Sequence, residues 1–225
     1  MTNLLNSLQK TSLFSNKDSD EIRYLLSKIS YKLVSFKENE IIFSPHKKAN
    51  NMGIIISGVV HIEKIFPSGK VVVVNRKEAF ELIAEPSLFS KSEYYPTTVS
   101  VCEPAEIFLI SKDQLLKIFD LDPIIMHNFL SSVSDSMLFL KNKIGLLSLH
   151  SIRERVADSL ITFYNESENL NITLPFSKKI WAEYMNVSRT SLSRELRKLE
   201  TENILKFDRQ KIQILDIEKL ENILL

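Results

Sequence analysis

Ser177 to Arg197, SKKIWAEYMNVSRTSLSRELR, constrains the fold of this chain more than any other stretch. Two residues suited to helix N-caps, Ser177 and Ser188, stand eleven positions apart, so two short helices follow each other closely. Ala182 supplies a small side chain where such helices can cross. Asn186 falls in the connection, which needs a left-handed residue; glycine serves best there and asparagine tolerates it. Trp181, Met185, Val187, Leu192, Leu196 and Leu199 take inward positions, and Arg189, Thr190, Ser193, Arg194 and Arg197 take outward ones. That layout predicts a helix-turn-helix whose basic second helix suits a DNA major groove. A plain helical hairpin with a solvated basic face has the same spacing, and the rest of the chain must separate the two.

The segment resembles the DNA-binding helices of the Crp/Fnr family of bacterial transcription regulators, whose pattern runs roughly LA-x-x-x-G-x-S-R-x-x-x-S-R-x-L-x-x-L. The matching residues are Trp181-Ala182, Asn186, Ser188-Arg189, Ser193-Arg194, Leu196 and Leu199. Trp181 replaces the family's leucine and Asn186 its glycine. A guanine offers two acceptors in the major groove and a guanidinium fork matches both. Arg194, one turn into the second helix, is the first choice for that contact, and the resemblance implies the same role. Arg189 reaches a base or a phosphate, and Ser193 and Thr190 reach bases or thymine methyls. Ser177, Ser188, Lys178 and Lys179 suit phosphates, which position a protein without reading sequence. Many family members carry glutamate where this chain has Thr190, which removes an acceptor for cytosine N4.

Charge agrees with that reading. The chain of 225 residues has a net charge of only +1. Residues 178–211 nevertheless hold nine Lys and Arg against five Asp and Glu, a basic face confined to one region. One cysteine, Cys102, excludes an intramolecular disulfide framework and a cysteine-ligated iron–sulfur cluster within one subunit. Cys102 itself reads as a small buried apolar residue. No run approaches about 18 apolar residues and no signal peptide opens the chain, which predicts a cytoplasmic protein without a membrane partner.

The N-terminal region has a different texture. Leu4, Leu5 and Leu8, then Ile22, Leu25, Leu26 and Ile29, recur at helical spacing. From about Val34 to Ile110, short Val- and Ile-rich runs alternate with turn signals: Lys37-Glu38-Asn39, Ser44-Pro45-His46, Ser57-Gly58, Pro67-Ser68-Gly69 and Glu103-Pro104. Short, evenly spaced strands predict an antiparallel sandwich, roll or barrel. Met52 to Val60, the Pro67-Ser68-Gly69 turn and Glu106 to Ser111 resemble the β-roll of the cyclic-nucleotide-binding fold, the sensor of Crp/Fnr proteins. Some other small β-barrel fits the strands alone.

Pro123, a good first-turn residue, opens a long helix that runs to about Leu147. Met126, Leu130, Val133, Met137, Leu140, Ile144 and Leu147 form an a/d seam over three heptads. Pairing with a second copy buries such a stripe; packing on its own domain is the alternative. The resemblance implies the pair. Ile152, Val156, Leu160 and Phe163 mark a further helix, residues 165–171 a polar loop, and Ile204–Phe207 and Lys211–Leu215 the strands of a wing around Asp208-Arg209-Gln210. Asp216 caps a last short helix. The fold class expected is α+β: an N-terminal antiparallel β-roll at 1–122, a dimerisation helix at 123–148 and a winged helix-turn-helix at 149–225.

The sensor departs from its family. Cyclic-nucleotide binders of this fold carry a Gly-Glu pair that meets the ribose and an Arg that meets the cyclic phosphate. Here Glu81 stands at the glycine after Phe80, and Tyr95-Pro96 stands at the arginine. Phe80, Glu81, Leu82, Glu85, Tyr95, Thr97 and Thr98 form the candidate effector pocket. Desolvating a phosphate beside its carboxylates is unfavourable, so cyclic AMP is not expected as effector; another small molecule or aromatic filling takes its place. His46, His61, His127 and His150 show no metal-ligand spacing, and four glycines build no phosphate loop. No metal or cofactor is expected. The reading is a homodimeric regulator, not an enzyme, with double-stranded DNA, RNA polymerase and an unidentified effector as partners. The alternatives are a regulator without a ligand and a metal-dependent β-roll enzyme, for which the sequence offers no histidine-rich triad.

Overall fold

The structure, a computed structural model, describes residues 2–225, and Met1 lies outside the described residues. The chain divides into two compact units that meet in sequence between Met137 and Leu138.

The first unit opens with α1 (Thr2–Leu8) and α2 (Ser19–Ser27). Asp18 and Glu21 close a capping box at the start of α2, each satisfying a backbone N–H that the helix leaves without a partner. Six strands follow: β1 (Lys32–Phe36), β2 (Ile41–Phe43), β3 (Asn51–Ile65), β4 (Val71–Lys77), β5 (Leu82–Ile83) and β6 (Thr98–Ser111). All pair antiparallel in the order β1-β6-β3-β4, with β2 also on β6 and β5 also on β3. This is the expected antiparallel roll. Both faces of its central strands are buried: Ile54 and Phe108 face the helices, and Ile55 and Ile107 face the interior of the roll. Strands covered on both sides carry unbroken apolar runs instead of alternation.

Two expected turns are not turns. Ser57-Gly58 and Glu103-Pro104 lie inside β3 and β6, opposite each other, where the register slips from Ile55↔Ile107 to Val59↔Glu103. Gly58 has φ +92° there, and a Cβ on it would lie 2.4 Å from the Pro104 carbonyl oxygen. The two breaks therefore build one bulge that bends the paired strands. The turn at Pro67-Ser68-Gly69 does join β3 to β4, with Gly69 at φ +79°.

A helix not expected from the sequence, α3 (Lys112–Leu121), follows β6 directly, capped by Ser111 and buried through Leu115 and Ile118. Next comes α4 (Pro123–Ser148), as predicted. Its Ile125 and Phe129 join the core made with α1, α2 and α3.

The second unit holds the rest of α4, then α5 (Ile152–Ser167), β7 (Asn171–Thr173), α6 (Lys178–Tyr184), α7 (Arg189–Thr201), β8 (Leu205–Asp208), β9 (Lys211–Ile214) and α8 (Ile217–Glu221). Ser151 caps α5, and Asp216 caps α8 as expected. The predicted polar loop at 165–171 is shorter than read: its first residues finish α5 and Asn171 opens β7. That strand makes the wing a three-stranded sheet, β7-β9-β8. Leu146, Val156, Leu160, Trp181, Leu192, Leu196, Leu199 and Ile212 share one core.

Candidate nucleic-acid interface

Local sequence builds the pair α6–α7. The Ser177 hydroxyl accepts the Ile180 N–H at 3.4 Å, and the Ser188 hydroxyl accepts the Ser191 N–H at 3.0 Å. Between them Asn186 adopts φ +53°. Its N–H reaches the Glu183 carbonyl at 3.1 Å, and the Val187 N–H reaches that of Ala182 at 3.0 Å. This closes α6 with a Schellman motif. Arg155, which sequence reasoning missed, donates to the Met185 carbonyl at 3.1 Å and to the Leu149 carbonyl at 3.1 Å. It holds the end of α6 against the residues that follow α4.

Leu192, Leu196 and Leu199 bury one side of α7, leaving Arg189, Thr190, Arg194 and Arg197 exposed and Ser193 half-buried. One carboxylate of α7 and that of its C-cap residue are turned away from that exposed side. Glu195 and Glu202 both pair with Arg153 of α5, the second through both guanidinium nitrogens. Those pairings push the Arg153 guanidinium up and hold the Glu202 carboxyl below the usual range, in each case chiefly through their shared hydrogen bond. Arg189, Arg194 and Arg197 make no ion pair with a described residue. The result is a helix face of unneutralised guanidinium groups, the electrostatic form that a polyanion requires.

Ser177 and Lys179 are exposed, and Lys178 is half-buried. With Arg189 they form one wall of an open cleft whose other wall is the wing turn, residues 207–210. Lys178 Nζ lies 3.9 Å from the Phe207 ring centre. Burial lowers its pKa, Arg189 and Arg197 lower it further, and Asp208 opposes them. Phe207 and Arg209 were not among the predicted site residues. Arg209 sits at the wing tip with φ +52°, and the only signal in the sequence was a basic residue at a hairpin turn.

The predicted effector residues divide. Leu82 belongs to the helix-side core, and Thr98 is buried in the β6 ladder opposite Glu63. Tyr95 is buried, stacks on Phe43 at 4.6 Å, and donates its hydroxyl to the Asn51 carbonyl at 2.7 Å. Thr97 is half-buried. Glu81 and Glu85 do come together, around Lys77, whose Nζ lies 3.9 Å and 3.6 Å from them. The Ser136 hydroxyl of α4 donates to Glu85 at 2.8 Å. Burial raises the Glu81 carboxyl, and Lys77 opposes the shift. Phe80 (φ +75°) and Ala84 (φ +62°) take left-handed backbone on either side of Glu81, the residue that stands at the family's glycine. Cys102 is also not the buried residue expected: it is half-buried, 3.5 Å from His61 Nε2.

Among the described residues no group of three metal-ligating side chains has a geometry that holds a metal, and no helix is long and apolar enough to cross a membrane.

Roll, long helix, capped helix pair and wing define a winged helix-turn-helix transcription regulator that binds DNA. Residues 33–122 match the cyclic nucleotide-binding domain and residues 154–223 the Crp-like helix-turn-helix domain. The chain belongs to the Crp/Fnr family, a family of transcription regulators rather than of enzymes. It is 23% identical over 195 residues to the anaerobic regulatory protein of Bacillus subtilis (strain 168), covering 84% of this chain and 82% of that one. In fold it is similar to a CooA mutant from Carboxydothermus hydrogenoformans, with TM-score 0.67, 16% identity and coverage of 95% and 94%. It is similar also to the catabolite activator protein of Thermus thermophilus, with TM-score 0.53, 20% identity and coverage of 95% and 98%.

Proposed function

We propose that this chain works as a homodimer on a near-palindromic duplex site in the cytoplasm, each α7 reading one half-site about one helical turn from the other. Residues 1–122 serve as sensor, 123–148 as the pairing helix and 149–225 as the DNA-binding part, and RNA polymerase is the partner at the promoter. Arg194 takes a guanine. Arg189, Thr190 and Ser193 contact neighbouring bases, and Arg197, Ser177, Ser188, Lys178 and Lys179 contact phosphates. The observation that carries this reading is the exposed face of α7, where three arginines make no ion pair with a described residue while Arg153 draws Glu195 and Glu202 aside.

Pairing rests on α4. Met126, Leu130, Met137, Leu140 and Ile144 are exposed in the single chain, Met137 at 65% and Ile144 at 70%. Val133 and Leu147 are half-buried, Val133 partly against the core of its own unit. Apolar side chains exposed in a row along one helix mark an interaction surface.

Regulation by a small effector other than cyclic AMP is one reading of the sensor. Regulation without a small molecule is favoured by Tyr95 packed on Phe43 and by Lys77 already engaged with Glu81 and Glu85. Selection of bound duplexes from a random-sequence library, with and without cell extract, tests the whole proposal. A two-fold symmetric consensus supports it, and an asymmetric or absent consensus overturns it. Cyclic AMP added at millimolar concentration is expected to leave both affinity and thermal midpoint unchanged.

A further inference from the structure

We infer that Phe207 of the wing is a positioning residue that holds the Lys178 ammonium for a backbone phosphate. The inference rests on the DNA-binding reading above and adds to it a residue outside the helix pair. Lys178 lies in the first turn of α6 and Phe207 on β8, and the ammonium sits over the ring at 3.9 Å. A lysine in this place needs such a hold. Arg189 and Arg197 repel it, and its nearest opposing charges, Asp208 and Glu200, act on it without an ion pair to any described residue. An unrestrained ammonium swings away from like charge into water. A ring face attracts the head and covers the stem, and so keeps the charge at the cleft wall.

The cleft is then a concave place holding Lys178, Lys179, Arg189 and Arg209. Asp208, the one carboxylate among the residues lining the cleft, offsets only part of their charge, and a duplex phosphate matches the remainder in sign and in position beside α7. Phe207 is itself held: its N–H reaches Glu200 Oε1 of α7 at 3.5 Å. The ring therefore moves with the helix that reads the bases.

The test compares wild type, Phe207→Leu, Phe207→Tyr, Lys178→Gln and the Phe207→Leu/Lys178→Gln double variant. Each is titrated over a salt series with the selected duplex and with a scrambled duplex of equal length. Phe207→Leu is expected to lower the slope of log affinity against log salt by about two, the contribution of one phosphate contact in each subunit of the dimer. Lys178→Gln should do the same. Phe207→Tyr should keep the wild-type slope, the double variant should match Lys178→Gln alone, and the preference for the selected duplex should not change. Losses that add in the double variant would mean that the ring acts through packing and not through Lys178, and would overturn the inference, as would a wild-type slope in Phe207→Leu. A wild-type protein that prefers no duplex overturns the DNA-binding reading and this inference together. A wild-type protein that binds while Phe207→Leu keeps its slope overturns the inference alone.

Discussion

Arg194 is where sequence reading and charge meet. It is exposed on α7 and makes no ion pair with a described residue, so its fork is available to the two acceptors of a guanine. Arg194→Ala is expected to cost roughly 1–3 kcal/mol at one base position and to relax the preference there. Binding measured against single-base variants of the selected site checks this; uniform weakening with the preference intact would move Arg194 to the phosphate contacts. Gly58 is the opposite kind of residue, decisive for folding and remote from any contact. At φ +92°, with the Pro104 carbonyl 2.4 Å from the place of a Cβ, no rotamer can relieve alanine. Gly58→Ala should cost at least about 2–3 kcal/mol of stability, read as a lowered midpoint in urea with the slope of the transition unchanged.

At the scale of elements, what the sequence showed depended on how local the cause was. The caps Ser177, Ser188 and Asp216 and the left-handed Asn186 act within a few residues, and their helices appear where expected. The pairing of Gly58 with Pro104 is a contact between strands, so each half looked like a turn alone. α3 was missed because Ser111 ends a strand and caps a helix at once, and β7 because three residues are too few to show alternation. Phe207 and Lys178 meet only through the tertiary fold, so their contact had no signal in either segment. α4 carries its own surprise. Lys143, one position before the exposed Ile144, is 5% exposed and lies 5.3 Å from the Tyr184 ring. Burial lowers its pKa from 10.5 to about 8. Between those values the unfolded chain binds the proton and the folded chain does not, so stability rises as pH climbs from about 8. The difference in stability between Lys143→Met and the wild type should therefore shift in the wild type's favour, by roughly 1–3 kcal/mol, as pH rises through about 8 to 10. Thermal midpoints of the two proteins across that range check the sign, and a shift in the variant's favour would refute it.

At the scale of the whole molecule, the apolar stripe of α4 and the basic face of α7 make sense as one device. One recognition helix reads only a few base pairs, too few for a regulator to find a site among many competitors. A second copy doubles both the base contacts and the phosphates neutralised, and it makes half-site spacing part of the code. In the proposed dimer the stripe is the element on which sequence specificity depends, although it touches no DNA. Met137 and Ile144 are its most exposed members, so glutamate at both sets like charges against each other across a two-fold axis without entering the core of either unit. Met137→Glu/Ile144→Glu is expected to sediment as a single subunit with the circular dichroism of the wild type. Its salt slope on the selected duplex should fall to about half, because half the phosphates are contacted. A double variant that remained a dimer would place the pairing surface elsewhere. A single subunit with the full slope would mean that one copy makes all the contacts, and the two-fold site would lose its physical basis.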